Sequence, residues 1–132
     1  MHLIVAIDDS RHWRMIYEHI AISLQEEGFQ VTFRSYDGPG SAMELSKAAQ
    51  PNPQLPPPLV TICDFQMPGC NGDGLVDILA RYLPQSTYII TSTLPEAEQY
   101  AKKRGYQFIN KATARQTLPD ILRQVISDAN TT

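Results

Sequence analysis

The sequence predicts an α/β protein: a doubly wound, five-stranded parallel sheet flanked by five helices. Three observations carry this. Short apolar runs alternate with amphipathic stretches five times over. The runs lack strict apolar–polar alternation, as expected of strands buried on both faces. Each run also closes on polar residues, at the edge where open parallel sheets gather their ligands.

The first run spans Leu3 to Ile7, and after it Ile16, Ile20 and Leu24 recur at helical spacing before Gly28, a natural stop. The second run, Phe29 to Phe33, is placed at a sheet edge because Gln30, Thr32 and the following Arg34 are polar. Ser41 and Glu44 form a capping box for a second helix with Ala42, Leu45 and Ala49 on its apolar side, ending before Pro51. Residues 51–58, PNPQLPPP, hold too many prolines for helix or strand and read as a stiff, extended surface loop. The third run, Leu59 to Cys63, leads to a helix with the stripe Leu75, Ile78, Leu79 and Tyr82. The fourth, Tyr88 to Ile90, precedes a short helix from about Pro95 to Arg104, with Pro95 in its first turn and Gly105 as its stop. The fifth, Tyr106 to Ile109, precedes a helix carrying Leu118, Ile121, Leu122, Val125 and Ile126 and ending near Asp128. Pro119 predicts a late start or a kink there, and residues 128–132 form a polar tail.

A chain of 132 residues suits one domain with a genuine core, so residues 1–132 are read as a single unit. No apolar run is long enough to span a bilayer, and only Met1 and His2 precede the first strand, which leaves no leader peptide. Cytoplasmic location without membrane insertion is the expectation. A net charge of −3, with Lys102, Lys103 and Arg104 as the one basic cluster, disfavours direct nucleic-acid binding. Of the two cysteines, Cys63 sits within an apolar run and reads as a buried thiol, while His2, His12 and His19 lack metal-ligand spacing.

The chemistry lies at the strand ends. The first run ends in Asp8 and Asp9, the third in Asp64, the fourth in Thr91 and Ser92, and the fifth in Asn110 and Lys111. Converging carboxylates resist full ionisation unless a cation compensates them. Mg²⁺ answers that need, because it takes hard oxygen ligands and is commonly held by one or two carboxylates together with a phosphate. Taken singly, each residue has a plainer use: Asp8, Asp9 and Ser10 as a strand end and helix cap, Asp64 as a turn residue, Thr91 as a cap and Lys111 as a solvated charge. Their joint placement favours the site.

The motifs IVAIDDS, VTICDFQMPGCNG, IITST and FINK, in this order, resemble the receiver domain of two-component response regulators, over essentially the whole chain. The resemblance implies the flavodoxin-like receiver fold with strand order 2-1-3-4-5. It implies Asp64 as phosphoacceptor, taking a phosphoryl group from a histidine kinase or phosphotransfer protein and signalling to a downstream protein target. Asp9 and Asp64 would ligate Mg²⁺ directly, the backbone carbonyl of Gln66 would be a third ligand, and Asp8 would act through water. Lys111 would pair with Asp64 and then with the phosphoryl group, Thr91 would hydrogen-bond a phosphoryl oxygen, and Phe108 would be the aromatic that follows Thr91. Met67 to Gly69 would form the turn beside the nucleophile.

Some residues depart from that pattern. Ala112 stands where the family usually has proline, so the segment from Lys111 to Leu118 is expected to differ. Ser92 replaces a smaller residue, and Gln66 and Thr93 lie where the family tunes phosphoryl lifetime. A phosphorylation-independent interaction module is the competing reading, favoured by Ala112. An aspartyl-phosphate phosphatase would need an Asp-x-Asp pair, and a flavin binder a hydroxyl-rich loop where this chain has DDSRHW. Trp13, near the start of the first helix, is read as packing against the domain or incidentally exposed, with contact to a kinase as the alternative.

Overall fold

The computed structural model describes residues 1–45, 56–67 and 70–131. Element order is β1 (His2–Ile7), α1 (Arg11–Glu26), β2 (Val31–Tyr36), α2 (Pro39–Ala42), β3 (Val60–Asp64), β4 (Gln66–Met67), β5 (Cys70–Asn71), α3 (Gly72–Tyr82), β6 (Thr87–Ser92), α4 (Pro95–Arg104), β7 (Gln107–Asn110), a 3-10 turn (Lys111–Thr113) and α5 (Ala114–Asn130). The main sheet is five-stranded, parallel throughout, in the order β2-β1-β3-β6-β7. Counted along the main sheet, this is the expected 2-1-3-4-5 arrangement. No helix among the described residues is long and apolar enough to cross a membrane.

Each sheet face has its own core. Ile4, Ala6, Ile62, Ile89 and Ile109 pack with Ile20, Leu24, Leu118 and Leu122 in the α1/α5 layer. Val5, Ile7, Cys63 and Ile90 pack with Leu75, Leu79 and Ala101 in the α3/α4 layer. The alternation follows from the period-two geometry of a strand. Cys63 is fully buried, as its apolar surroundings in the sequence require.

Several local expectations need correction. β2 begins at Val31 rather than Phe29, because the end of α1 uses the intervening residues: Gly28 takes φ +101 and the Phe29 N–H donates to the Leu24 carbonyl. Ser41 does not cap the second helix. It lies inside α2 and its hydroxyl donates to Asp37, while Ala49 and the helix end before Pro51 fall outside the described residues. So do residues 51–55 of the proline-rich loop and the pair 68–69 of the turn beside Asp64.

The buried side of α3 is Leu75, Val76, Leu79 and, just beyond it, Leu83, whereas Ile78 is 39% exposed and Tyr82 is 52% exposed. α4 has the expected bounds, with Pro95 in the first turn and Gly105 in the left-handed conformation. α5 starts five residues before Pro119 and ends at Asn130, so part of the polar tail is helical. Ala114, Leu118, Leu122 and Ile126 bury one stripe across Pro119, and that packing outweighs the lost backbone donor.

The two α3 side chains give a stability test. Leu79→Ala is expected to cost about 2–5 kcal/mol in urea unfolding, while Ile78→Ala costs roughly 0.5 kcal/mol or less. The reverse order of costs would place the helix on its other face.

Candidate functional site

The strand order sets the site. β1, β3, β6 and β7 all end at one edge, and the register pairs Ile7 with Cys63, Asp64 with Thr91 and Ser92 with Asn110. Ala6, Ile62, Ile89 and Ile109 face the α1/α5 layer, so Asp8, Asp64, Thr91 and Lys111, each two residues later, are directed by alternation to that same side. Asp8 and Lys111, more than a hundred positions apart in sequence, thus become neighbours through the parallel pairing of the strands that precede them.

Asp8 is buried and heavily bonded. Its Oδ1 accepts from the Ser10 N–H at 2.9 Å, its backbone carbonyl accepts from Arg14 Nη1 at 2.8 Å, and its Oδ2 lies 2.9 Å from Lys111 Nζ. Asp64 Oδ1 lies 3.3 Å from the same ammonium and accepts a long bond from the Gln66 N–H at 3.5 Å. Lys111 therefore bridges two acids, nearer to Asp8 than to the Asp64 partner expected from sequence. Asp9 is exposed, and Ser10 caps α1 by accepting from the Trp13 N–H.

Carboxylate oxygens of Asp8, Asp9 and Asp64 all lie within 4.8 Å of one another. These are hard oxygen donors, with no imidazole or thiolate in the group, and one ammonium does not neutralise three acids. The donor set fits a hard divalent cation.

Thr91 is fully buried, and its hydroxyl accepts from the Tyr17 phenol at 3.2 Å. Ser92 is engaged elsewhere, its Oγ accepting from the Leu94 N–H in the turn into α4. Phe108 is half-buried against the α3/α4 layer. Asn110 Oδ1 accepts from the Ala112 N–H at 2.9 Å and so caps the 3-10 turn. The segment after Lys111 is accordingly regular, running straight into α5.

Two aromatic residues of α1 complete the site. Tyr17 also lies 3.4 Å from Asp8 Oδ2, and Trp13 stacks near it with ring centroids 5.9 Å apart while covering Lys111 Nζ at 5.2 Å from its own centroid. Sequence reading placed Trp13 as packing or incidentally exposed and passed over Tyr17. The available signal was a tyrosine on the apolar stripe of α1, whose buried hydroxyl needs a partner.

Burial pushes the Asp64 carboxyl up to about 6, with the nearby Asp8 charge adding to the rise and Lys111 opposing it. Burial likewise raises the Tyr17 phenol far above its ordinary range. A raised carboxyl pKa means that the folded chain binds a proton more readily than the unfolded chain, so folding is penalised as Asp64 ionises. The penalty grows as pH rises from about 4 to about 6 and reaches on the order of 2–3 kcal/mol above that window. In metal-free buffer, Asp64→Asn is expected to unfold at higher denaturant than the native chain at neutral pH, with the difference shrinking towards pH 4. A pH-independent difference would contradict this account.

No family model and no curated protein matches the sequence. Solved structures do match. The chemotaxis protein CheY4 of Vibrio cholerae is 25% identical, over 95% of this chain and 98% of that one, with a TM-score of 0.69. The response regulator TrrA of Thermotoga maritima, solved in complex with Mg(2+)-BeF, is 17% identical over 95% and 99% of the two chains, TM-score 0.72. A signal receiver domain of an HD domain-containing protein from Pseudomonas fluorescens reaches a TM-score of 0.76 at 18% identity, over 98% and 90%. Likenesses that run nearly end to end in both partners show that the chain has the fold of response-regulator receiver domains.

Proposed function

We propose that the protein is a phosphorylation switch in which Asp64 accepts a phosphoryl group from a phosphohistidine on a histidine kinase or phosphotransfer protein. The observation that carries this is the placement of Asp64 on the middle strand of three, between Asp8 and Thr91, with Lys111 bonded to its carboxylate. An Asp64 oxygen would form the new P–O bond as the P–N bond to the donor imidazole breaks, the electron pair leaving with the imidazole. The product is an acyl phosphate.

Asp9 and Asp64 would hold Mg²⁺ with the backbone carbonyl of Gln66, and Asp8 would act through water. When bound, the ion supplies neutralisation of the charge gathered on the phosphoryl oxygens. Lys111 would then trade its Asp64 contact for a phosphoryl oxygen, and the Thr91 hydroxyl would donate to another. Phe108 would follow Thr91 and alter the surface presented to a downstream protein target. Two similar structures support the cation and the kinase partner: TrrA, which was solved in complex with Mg(2+)-BeF, and the receiver domain of the hybrid histidine kinase CckA. Residues 1–132 are proposed as one receiver unit acting in the cytoplasm.

A phosphorylation-independent interaction module is the second reading. It rests on Ala112 and on Lys111 being nearer to Asp8 than to Asp64. Intact-protein mass after incubation with acetyl phosphate or phosphoramidate separates the two. One phosphoryl adduct is expected with Mg²⁺, none with excess chelator and none in Asp64→Asn. Lys111→Ala is expected to slow labelling by roughly ten- to a hundredfold. Absence of adduct, under conditions that label a control receiver, would leave the interaction module as the function.

A further inference from the structure

Tyr17 has a polar atom inside the site and no part in the chemistry described so far. It sits on the second turn of α1, is 2% exposed, and places its hydroxyl 3.2 Å from Thr91 Oγ1 and 3.4 Å from Asp8 Oδ2. Asp8 directly follows β1 and Thr91 lies on β6, the strands on either side of β3, which carries Asp64. A single hydroxyl reaching both therefore spans the nucleophile's own position on the α1/α5 side of the sheet. Trp13 packs on the Tyr17 ring and holds it there.

We propose that Tyr17 is a positioning residue that latches Thr91 in the unphosphorylated state. This rests on the phosphoacceptor reading of Asp64 and adds a component to it. Thr91 is fully buried, and its hydroxyl is partnered by Tyr17. A phosphoryl group on Asp64 offers the Thr91 O–H a charged acceptor, and turning the side chain towards it carries Oγ1 away from the phenol whose hydrogen bond it accepts. When Thr91 turns to it, the phenol is not orphaned, because the Asp8 carboxylate remains within reach. Both hydroxyls thus have partners in each state, and the Tyr17–Thr91 bond is what is exchanged.

Linkage sets the sign. An interaction present only in the unphosphorylated state opposes phosphorylation, and a ligand shifts an equilibrium only by its differential contacts with the two states. Removing the phenol oxygen strands the Thr91 hydroxyl in the unphosphorylated state, whereas the phosphorylated state still satisfies it. Loss of the latch should therefore favour the phosphorylated form.

The test uses beryllofluoride, a phosphoryl mimic on carboxylates, titrated at saturating Mg²⁺ into the native chain, Tyr17→Phe, Thr91→Ala and the double variant. Tyr17→Phe is expected to bind the probe about three- to tenfold more tightly than the native chain, the size of one ordinary hydrogen bond. In the Thr91→Ala background the same substitution is expected to change affinity less than twofold, because the phenol acts through that hydroxyl. A purely structural role would lower the unfolding midpoint and leave no dependence on Thr91. Unchanged or weaker binding in Tyr17→Phe, or a gain that persists without the Thr91 hydroxyl, would overturn the latch. Tyr17→Leu and Thr91→Val fill the same corners of the cycle should the first variants fold poorly. Probe binding by the native chain that is lost in Asp64→Asn separates failure of the latch from failure of the phosphoacceptor reading, since only the latter removes binding altogether.

Discussion

Asp8 and Asp64 are held out of water on neighbouring strands and share one ammonium, and most features of this molecule follow from that sharing. Two unit charges about 4 Å apart interact by roughly 4 kcal/mol at the effective dielectric usual near a protein surface, and Lys111 offsets the repulsion between the two carboxylates. The lysine meets them at 2.9 Å and 3.3 Å, and the rise in the Asp64 carboxyl shows that burial still prevails over the compensation. With Asp9 in the group the cluster keeps a net negative charge. Under the proposed function, an anionic phosphoryl donor would be repelled until a hard cation joined the acids, and the surplus charge that burdens the fold would make the chemistry conditional on metal.

Strand alternation divides the work between the two layers. The acids, Thr91 and Lys111 belong to the α1/α5 side, where Tyr17 and Trp13 reach them. Phe108, paired with Ile90, packs against the α3/α4 layer instead. Thr91 and Phe108 thus face opposite layers. A change at Thr91 has its shortest covalent route to the far layer through the turn into α4, where Ser92 Oγ accepts from the Leu94 N–H. That turn connects the strand carrying Thr91 to the α3/α4 layer.

The sheet and most of the site were legible because parallel sheets put chemistry at strand ends and apolar runs mark where those ends fall. The gathering of Asp8, Asp64, Thr91 and Lys111 at one sheet edge was read this way, and α4 was bounded by Pro95 and Gly105. Tyr17 was not, because its partner Thr91 is 74 residues distant and nothing local distinguishes a core tyrosine from one that serves a site. Ile78 and Tyr82 matched the helical period of Leu75 and Leu79 but fall just off the buried side of α3, since a stripe read from apolar residues alone is wider than the surface it covers. Ser41 as a cap and Pro119 as the mark of a late start were misread for a shared reason. Capping boxes and prolines report local preference, and in α2 and α5 the local preference yielded to Ala42, Leu118 and Leu122 entering the core.

Ala112 is best understood through what Lys111 requires. The ammonium must be held against two buried acids, so the backbone carrying it must leave β7 in a fixed direction. A proline after the lysine would fix that backbone through its ring. Here Asn110 Oδ1 accepts from the Ala112 N–H, a donor that proline lacks, and the Thr113 hydroxyl donates to the Asn110 carbonyl. The 3-10 turn thus closed leads at once to Ala114, fully buried as the first residue of α5. Asparagine and alanine together do what the ring would do, and the lysine arrives at Asp8 and Asp64 with 13% of its side chain exposed. The departure is therefore a substitution of one backbone constraint for another, and it leaves the charge arrangement on which the site depends intact.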